Sequence, residues 1–370
     1  GWITGVVQDD WMTACVEEGD VFTLVLHVNF LGRRPVGSRW RGGQALFLLV
    51  QAGFRQDQFG LGIGVAFEDS MRSKSIAFLS PIDQWRSRLG DYWTLCKPRL
   101  LGMVVLSAMM GYYLPGVTSD PAKIFHLILG TLLIGGGAHV LNQWFEREQD
   151  GRMRRTCQRP IPTGRVSEEE AILLGATLSI VGFSYLFAFT GWLTALLGAA
   201  THLTYLLLYT PLKQKTVANT WVGAITGALP PLMGWSAATG VLDWGALPIF
   251  AVLYLWQMPH FFAIAWMYQD EYRKGGFRML SNIDEDGRLT AIHMVLHIAL
   301  LILASASVSW FEQAGPFFLV VATLLGVGFL MPTLQFWLHR NEQNARKVFF
   351  ASIIYLPAWC VVLTLDRIFL

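Results

Sequence analysis

Nine times after residue 97 the sequence stays apolar long enough to cross ~30 Å of hydrocarbon as a helix. The stretches are 98–115, 122–144, 169–189, 191–209, 218–239, 244–268, 290–310, 314–338 and 346–366. Only Thr190-Gly191 separates the third from the fourth, which reads as a tight hairpin. Backbone in lipid must satisfy its own polar groups, so such segments become helices. The expected class is all-α: a polytopic membrane protein with nine transmembrane helices. Composition agrees, with 53% of residues hydrophobic and 15% charged, too little charge to cover a water-soluble globule. A formal net charge of +2 excludes the electrostatic footprint of a nucleic-acid binder. Cys15, Cys96, Cys157 and Cys360 lie far apart and form neither a CxxC nor a disulfide framework.

The basic residues choose a side. Arg86, Arg88, Lys97 and Arg99 precede the first stretch, and Arg147, Arg152, Arg154, Arg155, Arg159 and Arg165 follow the second. Lys213 and Lys215 follow the fourth, Arg273, Lys274, Arg278 and Arg288 the sixth, and Arg340, Arg346 and Lys347 the eighth. The alternate connections 116–121, 190–191, 240–243 and 311–315 contain no Lys or Arg. This alternation places the N-terminus in the cytoplasm and the C-terminus outside, as in a protein of the cell inner (plasma) membrane. The connections 142–168 and 269–289 gather the acidic and polar residues on the cytoplasmic side, so chemistry is expected at the cytoplasmic ends of the second and sixth stretches.

Residues 1–70 do not fit this pattern: five Arg, no Lys and eight acidic residues. The strand-like pieces 22–29 and 45–50 are too short to span a bilayer, and Asp9, Asp10, Glu17 and Glu18 argue against a transit peptide. The expectation is an extension without catalytic role, a natural start at Met71, a cytoplasmic amphipathic lead over 71–97, and a membrane domain over 98–370.

Asn142, Glu146 and Asp150 end the second stretch four residues apart, which stacks them on one face of a helix. Like charges at a membrane boundary are costly, and a divalent cation is one reason to keep them. Hard oxygen ligands suit Mg²⁺, which takes few carboxylates and completes its shell with water and substrate phosphate. A run of arginines through Arg165 follows at once, and guanidinium groups clamp phosphate oxygens. A solvated helix end followed by ordinary positive-inside residues is the alternative reading.

Several motifs in order resemble the intramembrane aromatic prenyltransferases of the UbiA type, over residues 90–370. They are Lys97-Pro98-Arg99; Asn142, Glu146 and Asp150; Met153, Arg155, Thr156, Arg159 and Pro160; Tyr209-Thr210-Pro211-Leu212-Lys213 with Thr216, Asn219 and Gly223 behind it; 227–235; Trp256-Gln257-Met258-Pro259-His260-Phe261; and Asp270-Glu271-Tyr272 with 276–280. The run from Trp256 to Phe261 is similar to the branch of that family whose acceptor is heme B. Two departures stand out: Glu146 where relatives commonly carry Asp, and a second acidic motif reduced to Asp270-Glu271.

The resemblance implies farnesyl transfer from farnesyl diphosphate to the vinyl side chain of heme B, with water addition, giving heme O and diphosphate. It implies Mg²⁺ as cofactor, held by Asn142, Glu146, Asp150, Asp270 and Glu271, and diphosphate neutralised by Arg155, Arg159 and Lys213 with Lys97 and Arg99. The substrate pocket would include His260, Trp256, Tyr209 and Tyr272, with Trp144, Phe261 and Phe262 as further candidates to face an allylic cation. Gly135-Gly136-Gly137 and the pair Gly223 and Gly227 would let backbones approach closely. Among His139, His202, His260, His293 and His297, His260 has the best claim on heme. A downstream heme-modifying enzyme or terminal oxidase assembly is the implied partner. The rivals are a family member with another aromatic or tetrapyrrole acceptor, and a transporter; the latter conflicts with carboxylates gathered at one face and none at mid-depth in the first eight stretches.

Overall fold

The computed structural model describes residues 23–27, 47–51 and 81–369. Met71 and the rest of the amphipathic lead before residue 81 lie outside the described residues. The chain forms two compact units, 1–84 and 85–370. In the first, β1 (Thr23–His27) and β2 (Phe47–Gln51) pair antiparallel with Thr23 opposite Gln51 and His27 opposite Phe47. These strands fall on two short apolar runs of the N-terminal segment.

The second unit is helical throughout. After α1 (Pro81–Leu95) come α2 (Pro98–Tyr113), α3 (Pro121–Phe145), the short α4 (Arg147–Arg152), α5 (Glu168–Phe189) and α6 (Trp192–Leu203). A π-helical turn over Thr204–Tyr209 joins α6 to α7 (Thr210–Lys215), followed by α8 (Asn219–Ala228) and α9 (Pro230–Thr239). The chain continues through α10 (Leu247–Met267), α11 (Gln269–Lys274), α12 (Leu280–Ile283), α13 (Arg288–Trp310), α14 (Pro316–Leu338) and α15 (Glu342–Phe369). Helix starts are written in the sequence. Asp120 accepts from the Ala122 and Lys123 amides, Ser167 and Glu170 close a reciprocal capping box, and proline opens α2, α3, α9 and α14.

Helices occupy all nine apolar stretches. Among the described residues, seven helical runs are long and apolar enough to cross a membrane. The other two differ from a plain span for visible reasons. α2 has 16 residues, a rise of about 24 Å. The fifth stretch breaks between α8 and α9, where Pro230 and Pro231 remove two successive backbone donors. The π turn also lies beside a proline: Pro211 cannot donate to the Leu207 carbonyl, and the Thr210 amide and its Oγ1, the latter at 2.8 Å, both bond the Tyr205 carbonyl.

α3 packs most extensively on α5 and α2 on α9, while α10 lies against α8, α13 and α15. A side chain on Gly111 would strike the Pro231 backbone and one on Gly234 the Ala108 carbonyl, so α2 and α9 cross at backbone contact. The main core gathers Phe262, Phe318, Phe329, Tyr355 and Trp359, all nearly sealed. By contrast Leu173, Ile180, Phe187, Leu324 and Ile354 are exposed along the length of their helices. Apolar residues on the outside of long helices suit lipid as the solvent: this is a multi-pass membrane protein.

Candidate active site

α3 and α10 end alike. Each stops at a residue off helical geometry, Glu146 (φ −96°, ψ 9°) and Tyr268 (φ −117°, ψ 26°), and resumes as a six-residue helix. Across the first break the spacing of four survives, because the Glu146 amide bonds the Asn142 carbonyl at 3.0 Å and the Asp150 amide bonds that of Glu146 at 2.7 Å. Asn142, Glu146 and Asp150 therefore share one face, and all three are buried, at 1%, 3% and 1% exposure.

Each has its own cationic partner. Lys213 Nζ donates to Glu146 Oε1 at 2.8 Å, Arg159 Nη1 to Asp150 Oδ2 at 2.5 Å, and Lys97 Nζ to Asn142 Oδ1 at 2.9 Å. Tyr205 also donates to Asn142 Oδ1, at 3.1 Å, while Asn142 Nδ2 donates to Thr210 Oγ1 at 3.0 Å. Both lone pairs of the Asn142 oxygen are thus engaged, and in this conformation the carboxylates are the groups with coordination capacity. Lys97 holds its place at a backbone cost. It sits left-handed at φ 50°, ψ 61° directly before Pro98, a conformation worth roughly 1–3 kcal/mol of strain in a non-glycine residue. Burial presses the Lys97 ammonium down to about 7, the Arg159 guanidinium adding to the effect while Glu146 and Asp150 oppose it. Burial likewise pushes the Asp150 carboxyl up, against the pull of Arg159.

The second connection closes on the first through aromatic and apolar contacts. Arg155 lies over the rings of Tyr268 and Tyr272, 5.0 and 5.6 Å from their centroids, and donates to the Tyr272 hydroxyl at 3.4 Å. Met153 packs with Ala265, Phe277 and Met279. Lys213 Nζ stands 4.5 Å from the Tyr209 ring and 5.5 Å from that of Phe277. The Arg278 amide donates to the Lys213 carbonyl at 2.6 Å, and Asn219 Nδ2 ties the Arg278 and Thr216 carbonyls together at 2.8 and 2.7 Å.

The other candidates are placed differently. Asp270 is exposed and pairs with Arg273 at 3.1 Å. Glu271 is half-buried, and its Oε2 is sealed with no hydrogen-bond partner among the described residues. Arg99 is exposed on the first turn of α2. Trp144 turns to the surface pair Arg147–Glu168, and Phe262 packs into the core against His293. His260 and Trp256 sit on α10 against α15, where the Trp256 indole donates to the Ser352 carbonyl at 2.7 Å. Among the described residues no three His, Cys, Asp or Glu side chains are gathered closely enough to hold an ion alone.

That arrangement fits a metal shared with a bound phosphate. Mg²⁺ takes one or two carboxylates and fills its shell with substrate oxygens, and an orphaned buried carboxylate oxygen such as Glu271 Oε2 is costly without a cation. Lys213 and Arg159 balance the two buried carboxylates, so the positive excess for an anion comes from protonation of Lys97, which an arriving anion favours. Tyr205 and Ser352 were not among the sequence candidates. Tyr205 shares its spacing of four with Tyr209 and Lys213, which was a usable signal; Ser352, within an apolar helix, offered none.

Residues 104–354 match the model of the UbiA prenyltransferase family. The protoheme IX farnesyltransferase of Solibacter usitatus (strain Ellin6076) is 41% identical over 287 residues, covering 75% of this chain and 98% of that protein. The mitochondrial protoheme IX farnesyltransferase of Arabidopsis thaliana is 36% identical over 282 residues, covering 75% of this chain and 65% of its own. A solved structure of digeranylgeranylglyceryl phosphate synthase superposes with TM-score 0.66 at 16% identity, over 77% of this chain and 100% of that one. A UbiA homologue from Archaeoglobus fulgidus bound to GPP and Mg²⁺ superposes with TM-score 0.55 at 15% identity, over 74% and 99%.

Proposed function

The chain belongs to the UbiA prenyltransferase family, and from that membership we propose that it transfers the farnesyl group of farnesyl diphosphate to the vinyl side chain of heme B, releasing diphosphate and forming heme O. The observation that carries the reading is the buried cluster of Glu146 with Lys213, Asp150 with Arg159, and Asn142 with Lys97, at one end of a lipid-facing bundle. It offers a water-poor cationic seat for a diphosphate whose tail is a hydrocarbon. The relatives named protoheme IX farnesyltransferase supply the acceptor.

Glu146 and Asp150 would share Mg²⁺ with oxygens of the bound diphosphate, and the ion when bound supplies positive charge to offset that of the diphosphate. Asn142 keeps Lys97 aimed into the cluster. Lys213, Arg159 and Lys97 take up the charge that diphosphate gains as the C1–O bond breaks and the electron pair leaves with oxygen. Arg155, held over the Tyr268 and Tyr272 rings, adds a further guanidinium. The terminal vinyl carbon of heme B then bonds to C1 of the farnesyl cation. Water adds to the resulting cation beside the porphyrin and gives its proton to solvent, forming the hydroxyethylfarnesyl group. The rings of Tyr209 and Tyr272 border the cationic cluster and shield the allylic cation without reacting with it.

The same reading puts nine crossings over residues 98–370, with the cluster facing the cytoplasm from the inner membrane. The product would pass to a heme-modifying enzyme or terminal oxidase assembly. Release of inorganic diphosphate by the purified protein tests it: release should require heme B and farnesyl diphosphate together, and equal release with a quinone precursor in place of heme would overturn it.

A further inference from the structure

We propose that His260 is the axial ligand of the acceptor's iron, with Ser352 as the positioning residue that sets its tautomer. The inference rests on heme B being the acceptor. Ser352 Oγ lies 2.5 Å from the Phe349 carbonyl and 2.8 Å from His260 Nδ1. A serine hydroxyl has one hydrogen, and the carbonyl can only accept it. The contact with His260 is therefore donated by the ring: Nδ1 carries the proton and Nε2 keeps its lone pair. This is the arrangement of a metal-binding histidine, whose second nitrogen is anchored by an outer hydrogen bond.

The surroundings direct that lone pair outward. Trp256 stacks on the imidazole at 5.3 Å and 20°, and Phe349 does so at 5.1 Å and 25°. Two stacked neighbours restrict how the ring can turn. Nε2 has no hydrogen-bond partner among the described residues and, unlike both ring nitrogens of His139, is not sealed by protein. Trp256 also donates to the Ser352 carbonyl at 2.7 Å, so one aromatic residue fixes both the ligand and the group that orients it.

Other histidines serve less well. His202 and His297 donate from Nδ1 to backbone carbonyls, at 3.3 and 2.6 Å, and share the tautomer, but neither has two rings stacked on it. His260 stands seven residues before the end of α10, about 10 Å along the helix axis. Iron held there keeps the porphyrin rim within reach of the polar end, where the farnesyl cation forms.

The test is spectroscopic titration of the detergent-solubilised protein with ferrous heme B, with heme O formation measured in parallel. The wild type should show an iron–imidazole stretching band. His260→Gly should lose the band and regain it with added imidazole, while His202→Ala and His297→Ala keep it. Ser352→Ala should retain the band at shifted frequency and bind heme about tenfold more weakly. Heme O formation by the wild type with an undiminished band in His260→Gly, or loss of the band in His202→Ala or His297→Ala instead, overturns the ligand assignment and leaves the farnesyl-transfer reading intact. A wild type that neither binds heme B nor makes heme O removes both.

Discussion

Replacing Lys213 by Met separates the electrostatic role of the buried cluster from its chemical one. Glu146 and Lys213 meet at 2.8 Å with side-chain exposures of 5% and 13%, so neither charge has water to fall back on. Removing one member of such a pair strands the other, at a cost of about 3–5 kcal/mol. Lys213→Met should therefore lower unfolding stability by that amount, and Glu146→Gln by about 2 kcal/mol or more, since glutamine still accepts a hydrogen bond from the ammonium. The double variant should recover most of the Lys213→Met loss because no lone charge remains, a coupling of at least about 2 kcal/mol. Turnover should not recover, since both the cation for diphosphate and the carboxylate for metal are gone; a loss of at least 10²-fold is the scale for one charge-stabilising group. Equilibrium unfolding in mixed detergent micelles reads the first quantity and heme O formation the second. Additive single-variant stabilities, or a double variant with wild-type turnover, would refute the reasoning.

Asp150→Asn should cut heme O formation to a similar extent while membrane insertion, read by fractionation, stays normal. Lys97→Gly relieves the left-handed strain and should unfold no earlier than wild type in a thermal scan, yet lose at least tenfold in turnover with its ammonium gone. Gly234→Val places a branched side chain against the Ala108 carbonyl and should cost about 1–3 kcal/mol in the same scan. Asp284 is buried and accepts from the Leu289 and Thr290 amides at 3.2 and 2.7 Å, so Asp284→Ala should cost about 1 kcal/mol through loss of a cap on α13.

The bundle was readable because lipid demands long apolar helices, and periodicity placed Asn142, Glu146 and Asp150 on one face despite the hinge at Glu146. Periodicity does not report partners on other helices. The sequence reading assigned the acids to metal and the cations to diphosphate as separate sets, whereas Lys213 and Arg159 grip Glu146 and Asp150 directly. It also put Asp270 and Glu271 together, although Asp270 faces outward and only Glu271 carries a sealed oxygen. The π turn at Thr204–Tyr209, the break at Pro230 and the left-handed Lys97 all arise at or beside prolines that are plain in the sequence, but their consequences depend on what lies across the bundle. Ser352 is legible only once α15 is seen against α10.

Heme extracted from the purified protein after incubation with heme B, farnesyl diphosphate and Mg²⁺ in ¹⁸O-labelled water, and then weighed by mass spectrometry, meets the central claim head on. The account predicts a pigment heavier than heme B by one farnesyl group and one hydroxyl, the hydroxyl carrying the label. Recovery of unchanged heme B alone, under conditions where the protein is folded and binds farnesyl diphosphate, would contradict it.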